Sequence, residues 1–143
     1  MNKKKRVLIV TNAITDEEVS QIKQAFNDEY ASSMAIDLSL VHVIPELPTS
    51  YFNIPSMGVL VEKYYDEARQ SLFQVGRHLD ITKNNQWLIS GKLRTEVLRL
   101  AAKLGASFIL ASAEQIQELQ RSLFFKSIHQ YALIKNVNQI KKL

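Results

Sequence analysis

Gln86-Trp-Leu-Ile-Ser-Gly-Lys-Leu-Arg-Thr-Glu-Val-Leu-Arg-Leu-Ala-Ala-Lys-Leu-Gly-Ala-Ser-Phe-Ile-Leu-Ala111 is the stretch that decides the fold. It opens on Gln86–Ser90, a short apolar run of strand length that stops at Gly91. From Thr95 to Leu104, the residues Val97, Ala101 and Leu104 fall on one helical face. Gly105 follows, where a helix end calls for a residue that takes the left-handed conformation without strain. Ser107–Ala111 is a second apolar run. Strand, crossover helix, strand is the unit of which parallel sheets are made.

The alternation continues toward the amino end. Val7-Leu-Ile-Val-Thr11 is a β-branched run ending near Asn12, and Leu38-Ser-Leu-Val-His-Val-Ile44 is another. Between them, Thr15-Asp-Glu-Glu18 has the spacing of a capping box, and Val19, Ile22, Phe26 and Tyr30 mark one face of the helix it starts. Residues 45–57 hold all three prolines and read as a loop, longer than most connections. Val61, Tyr64, Ala68, Leu72, Val75 and Leu79 then recur at helical spacing over Val59–Leu79; Tyr64 reads as core and Tyr65 as rim. Beyond Ala111 the spacing predicts a helix over 114–135, with a short fifth strand at 139–143. The whole predicts an α/β fold: one doubly wound, Rossmann-like domain of four to five mostly parallel strands with helices on both faces.

Composition agrees and excludes much else. The chain has 143 residues, 46% apolar and 22% charged, which suits one domain spanning residues 1–143. It has no cysteine, hence no disulfide, thiolate metal site or thiol nucleophile. There are four glycines, where average usage would give roughly 10, and none follows Gly105. The net charge of +4 comes from a basic leader, residues 1–5 with Arg6, and the rest is balanced. That leader reads as a solubilising flank, and no nucleic-acid partner is expected. After Glu118 there is no acid, while Arg121, Lys126, Lys135, Lys141 and Lys142 remain. This end is either the solvated side of a last helix or a surface for an acidic protein partner. No apolar run is long enough for a secretory signal or a membrane span, so a cytoplasmic protein without membrane association is expected.

In such sheets ligands bind beyond the carboxyl ends of the strands, which directs attention to Asn12-Ala13, Val43-Ile44, Ser90-Gly91 and Ala111–Ala113. Thr11-Asn-Ala-Ile-Thr15 holds no glycine, so neither a dinucleotide fingerprint nor a Walker loop is present. His42, His78 and His129 are scattered; His42 reads as a hydrogen-bonded structural histidine and His78 as a partner of its helix dipole. No metal ligand set and no catalytic constellation emerge, and a non-enzymatic protein is expected, weak nucleotide hydrolysis being the residual alternative.

The run Gly91–Leu110, with its alanines and Leu104-Gly-Ala106 before a strand, resembles the third-helix and fourth-strand block of the universal stress protein family. Leu40-Val-His-Val43 and Val7–Val10 resemble that family's second and first strands. The resemblance implies a five-stranded parallel fold, a homodimer often joined through its last strand, and, in many members, adenine nucleotide binding. Binders of this family carry an aspartate after the first strand and a motif of spaced glycines after the fourth, ending in glycine and a serine or threonine. Here the aspartate position is Asn12, and the glycine positions fall on Ser112, Gln115 and Phe125, or one residue on at Ala113, Ile116 and Lys126, where Ser127 matches. Side-chain bulk at Ile116 or Phe125 would stand where phosphate oxygens meet bare amides.

The resemblance therefore implies a stress-type regulatory protein without a cofactor, acting as a homodimer. The alternative is a degenerate site for ATP, another adenine nucleotide or an anion, with Asn12, Val43, Ser112, Lys126 and Ser127 as candidate contacts, Val43 through its backbone and Lys126 through its charge. A third reading is an interaction module using the basic carboxyl-terminal helix and the 45–57 loop. Lysines near 139–143 oppose edge pairing, so the dimer uses another face or the last strand is absent.

Overall fold

A computed structural model describes residues 5–12, 14–32, 36–46, 54–120 and 130–133. The chain runs β1 (Lys5–Val10), α1 (Asp16–Ser32), β2 (Ile36–Ile44), α2 (Pro55–His78), a single 3-10 turn (Lys83–Asn85), β3 (Gln86–Ser90), α3 (Leu93–Leu104), β4 (Phe108–Ala111), α4 (Ala113–Gln120) and β5 (Gln130–Leu133). The strands form one sheet in the order β3-β2-β1-β4-β5, and every pairing is parallel.

Alternation along the buried strands divides the core in two. Val7, Ile9, Leu38, Leu40, Phe108 and Leu110 pack on one face with Val19 and Ile22 of α1 and Leu72 and Val75 of α2. Leu8, Val10, Val41, Val43, Ile109 and Ala111 pack on the other with Val97, Leu100 and Ala101 of α3 and Ile116 and Leu119 of α4. Helices thus cover both faces, as a parallel sheet requires. The chain steps outward from β1 to β3, then returns to the far side of β1 for β4, so the strand order reverses beside the carboxyl end of β1.

Local signals read from sequence are realised in detail. The Glu18 N–H donates to Thr15 Oγ1 and the Thr15 N–H to Glu18 Oε1, both at 3.1 Å, which is the capping box of α1. Gly105 ends α3 at φ 66°, with the Ala106 N–H donating to the Ala101 carbonyl at 2.8 Å. The end of α2 has the same form without a glycine. Asp80 stands at φ 56°, while the Ile81 N–H donates to the Gly76 carbonyl at 2.8 Å and the Ile81 side chain joins Val75 in the core.

Three expectations are corrected. The 45–57 loop is shorter at its far end, because α2 starts at Pro55, where proline's missing N–H would have had no helical partner in any case; residues 47–53 lie outside the described set. Tyr64 is 46% exposed while Tyr65 is the half-buried one, with Arg69 over its ring at 6.0 Å. Among the described residues, α1 faces the later part of α2, where Asp16 and Val19 line a groove with Glu67, Ser71 and His78. Finally, a helix through 114–135 is overturned at its far end. Gln130–Leu133 is β5, lying against β4 with Phe108 opposite Gln130 and Ala111 opposite Leu133. A run of four residues, Gln-Tyr-Ala-Leu, carries no period that separates helix from strand, and the outer backbone groups of β4 demand a partner. Residues 121–129 and 139–143 lie outside the described set.

The two helix ends give a paired prediction. Gly105→Ala is expected to cost about 1 kcal/mol through backbone strain, since nothing within 4 Å would oppose its Cβ. Asp80→Gly, relieving a left-handed aspartate, is expected to stabilise by about 0.5–1 kcal/mol. Urea unfolding of the two variants beside the parent checks both signs.

Candidate functional site

The carboxyl end of β1 is where backbone hydrogen bonding must change partners. The Thr11 N–H still donates to the Val41 carbonyl at 2.9 Å, continuing the ladder one residue past β1. The main chain then turns away, and the Asn12 side chain takes over. Its Nδ2 donates to the Val43 carbonyl at 2.7 Å, and its Oδ1 accepts the Val43 N–H at 2.9 Å. A primary amide has the same donor–acceptor pair as a peptide group, so Asn12 supplies one more rung between β1 and β2. Both backbone groups that Val43 turns toward β1 are engaged by it. A ligand contact through the Val43 backbone would have to share these groups with Asn12.

Thr11 is buried, and its hydroxyl oxygen lies 2.9 Å from His42 Nδ1 and 3.2 Å from the Val41 carbonyl oxygen. With His42 protonated on Nε2 alone, the hydroxyl donates to Nδ1; in the other neutral tautomer the ring donates and the hydroxyl turns to Val41. His42 is thus the hydrogen-bonded structural histidine expected from sequence. Burial pushes its pKa below the ordinary 6.5 by disfavouring the charged ring.

Ser112 lies at the matching end of β4. The Gln115 N–H donates to its Oγ at 3.4 Å, and the Ile116 N–H to its carbonyl at 2.9 Å, so Ser112 caps α4. Gln115 lines the cleft beyond the strands, and its Oε1 is buried with no hydrogen-bond partner among the described residues. Ile116 is 3% exposed and belongs to the core beneath α3 and α4. Its bulk therefore fills the core and does not obstruct the cleft, contrary to the expectation from spacing; the side chain that stands in the cleft is Gln115. Lys126, Ser127 and Phe125 fall outside the described residues, as does His129.

The cleft has a volume of about 510 Å³. Asn12 and Val43 form its inner end, Gly91, Lys92 and Arg94 one wall, and Gln115 and Glu118 the other, with Glu46 at the rim. Among the described lining residues, Lys92 and Arg94 balance Glu46 and Glu118. Gly91 sits at φ 153°, and a Cβ there would stand 2.8 Å from the Glu96 side chain, so the turn into α3 admits only glycine without rearrangement. Of the residues singled out in the sequence, Asn12 and Val43 line this cleft and Ser112 does not, while Lys92, Arg94, Gln115 and Glu118 are not legible there as a set. The flag at Ser90-Gly91 was the nearest signal, because the residues after a strand end line its mouth. Among the described residues no group of three or more histidine or acidic side chains is gathered for a metal ion, and no helix is long and apolar enough to cross a membrane.

No family model matches the chain. Comparison with solved structures defines the class first. The fold is similar to that of a universal stress family protein from Burkholderia pseudomallei (TM-score 0.59, 17% identity, 90% of this chain and 93% of that one). It is also similar to the hypothetical protein MJ0577, whose biochemical function was assigned from its structure (TM-score 0.67, 15% identity, 90% and 94%). In sequence the chain is 30% identical over 98 residues to universal stress protein A homolog 1 of Coxiella burnetii, a match covering 66% of this chain and 68% of that protein. The chain belongs to the universal stress protein family.

Two predictions follow from the pairing around Asn12. Asn12→Asp would set a carboxylate oxygen against the Val43 carbonyl and is expected to cost about 1–3 kcal/mol, recovering in acid as the protonated carboxyl donates again. For His42 the lowered folded-state pKa means that the unfolded chain takes up a proton first as pH falls. Stability is therefore complete above 6.5 and declines below it, levelling once the folded protein is protonated too. Urea midpoints on either side of that value should converge in His42→Gln.

Proposed function

We propose that this universal stress family member is a cytoplasmic, non-enzymatic regulatory protein that acts as a homodimer and does not use ATP. The observation that carries the reading is the Asn12 amide closed onto Val43. Where nucleotide-binding relatives of this kind place a carboxylate, this chain has an uncharged amide that bonds both the N–H and the C=O of Val43 in its own backbone. The turn after β4 supports the same reading. It offers Ser112 and Gln115 in place of glycines, and the amino end of α4 is capped by its own serine. Bare amides that would cradle phosphate are replaced there by side chains.

A second reading is favoured by one feature: the cleft is roomy and bears Lys92 and Arg94 beside the start of α3. On that reading it admits a degenerate adenine nucleotide or other anion without the family's phosphate loop.

Native and denaturing mass measurement of the purified protein, followed by calorimetric titration, tests both readings. The expected outcome is a dimer mass with no retained small molecule and no saturable heat across ATP, ADP and AMP. A dissociation constant for ATP at or below about 10 μM, equivalent to about −7 kcal/mol, would overturn the first reading. Saturable binding of AMP or inorganic phosphate alone would favour the second, and a monomer mass would remove the homodimer.

A further inference from the structure

β3 ends the sheet on one side, and the pairing register fixes which of its backbone groups face outward. The Gly91 N–H donates to the Ile44 carbonyl at 2.9 Å, with Trp87 opposite Val41 and Ile89 opposite Val43. The N–H and C=O of one strand residue point to the same side, and the side alternates along the strand. Trp87, Ile89 and Gly91 therefore face β2, while Gln86, Leu88 and Ser90 face away. The Gln86 N–H donates to the Lys83 carbonyl, so two donors and three acceptors are presented there, with no backbone partner among the described residues outside the sheet ladder.

Edge strands are normally blunted by a charge, a proline or a bulge within the strand, and Gln86–Ser90 has no charge and no proline. Trp87, Leu88 and Ile89 are each only half-buried. Trp87 and Ile89 lean on the core beneath α3 and α4, and Leu88 on the core beneath α1 and α2. A strand laid alongside would thus cover apolar surface on both faces of the sheet. Charge stands at the two ends. Lys83 precedes the strand, Lys92 and Arg94 follow it, and no acid occurs between Ile81 and Thr95. Two copies meeting here antiparallel would set Lys83 of one against Lys92 and Arg94 of the other, which opposes self-pairing.

We infer that the outer edge of β3 is a docking site for an extended segment of a partner protein, a short β-branched run flanked by acidic residues, which adds to the sheet as a further strand. Leu88 and Ser90 supply the main-chain hydrogen bonds, and Lys83 and Lys92 select the acidic flanks. The inference is independent of whether the cleft binds nucleotide.

Trp87 is the chain's single tryptophan and lies on this strand, so its fluorescence reads the edge directly. The probe is a capped peptide, Glu-Asp-Thr-Val-Thr-Val-Asp-Glu, titrated into the full chain. A saturable change in emission is expected. Of two copies N-methylated on one or the other set of alternate residues, one should bind at least about tenfold more weakly and the other nearly as well as the parent, since only one set meets β3. Lys83→Glu with Lys92→Glu should weaken the acidic peptide about tenfold and favour a lysine-flanked copy. Ser90→Pro, which removes one outward N–H, should weaken it as well. If that variant unfolds, the methylated pair still reads the backbone. Absence of saturable binding at millimolar peptide would overturn the inference, as would equal loss or equal retention in the two methylated copies. Equally tight binding of a single-stranded oligonucleotide of matching charge, which needs only the lysines, would overturn it too.

Discussion

The enclosure of β1 governs the rest of the structure. Val7–Val10 are buried, one sheet edge of the strand is taken by β2 and the other by β4, and helices lie over both faces. A strand so enclosed cannot leave a polar group unpaired at its end without a desolvation cost of about 1–3 kcal/mol. The chain meets that demand with side chains: Thr11 turns its hydroxyl to Val41 and His42, and Asn12 reproduces a peptide group against Val43. The features of the candidate site begin as solutions to this problem of ending a buried strand.

The same enclosure explains what was legible in the sequence. Strands buried on both faces must be continuous apolar runs, so Val7–Thr11, Leu38–Ile44, Gln86–Ser90 and Ser107–Ala111 stood out, and the alternation with helices followed. The capping box at Thr15–Glu18 and the stop at Gly105 were readable because each depends on residues only a few positions apart. What escaped reading depends on partners far along the chain. Gln130–Leu133 is a strand because β4 offers it an edge, and the described part of α1 meets the later turns of α2, away from the exposed Tyr64. In the cleft, Asn12 and Val43 are legible from their places at strand ends. That Asn12 holds Val43 follows from a contact between residues 31 apart, which no local pattern carries.

Membership of the universal stress protein family and the particulars of this chain rest on different parts of it. The shared fold is carried by the two cores and the strand order. The particulars lie at the carboxyl ends of the strands, where Gln115 brings a buried oxygen, unpartnered among the described residues, into a cleft lined by Lys92, Arg94, Glu46 and Glu118. A common framework thus supports an individual surface, as is usual where loops carry function and the scaffold only positions them.

The Asn12 rung has a further consequence for how the sheet settles on one alignment. Side chains alternate between faces along a strand, so a slip of β1 by one residue against β2 would turn its whole apolar set to the wrong face. Apolar residues fill both faces of β1, with Val7 and Ile9 on one side and Leu8 and Val10 on the other, so burial alone discriminates weakly against that slip. The amide does discriminate. Its two bonds at 2.7 and 2.9 Å reach the N–H and C=O that Val43 turns toward β1, whereas a one-residue slip would set Asn12 against a β2 residue whose groups face β3. The buried stretch Val7–Val10, which has no polar side chain, is thus given a polar mark at its end, and that mark guards the central pair against a one-residue slip.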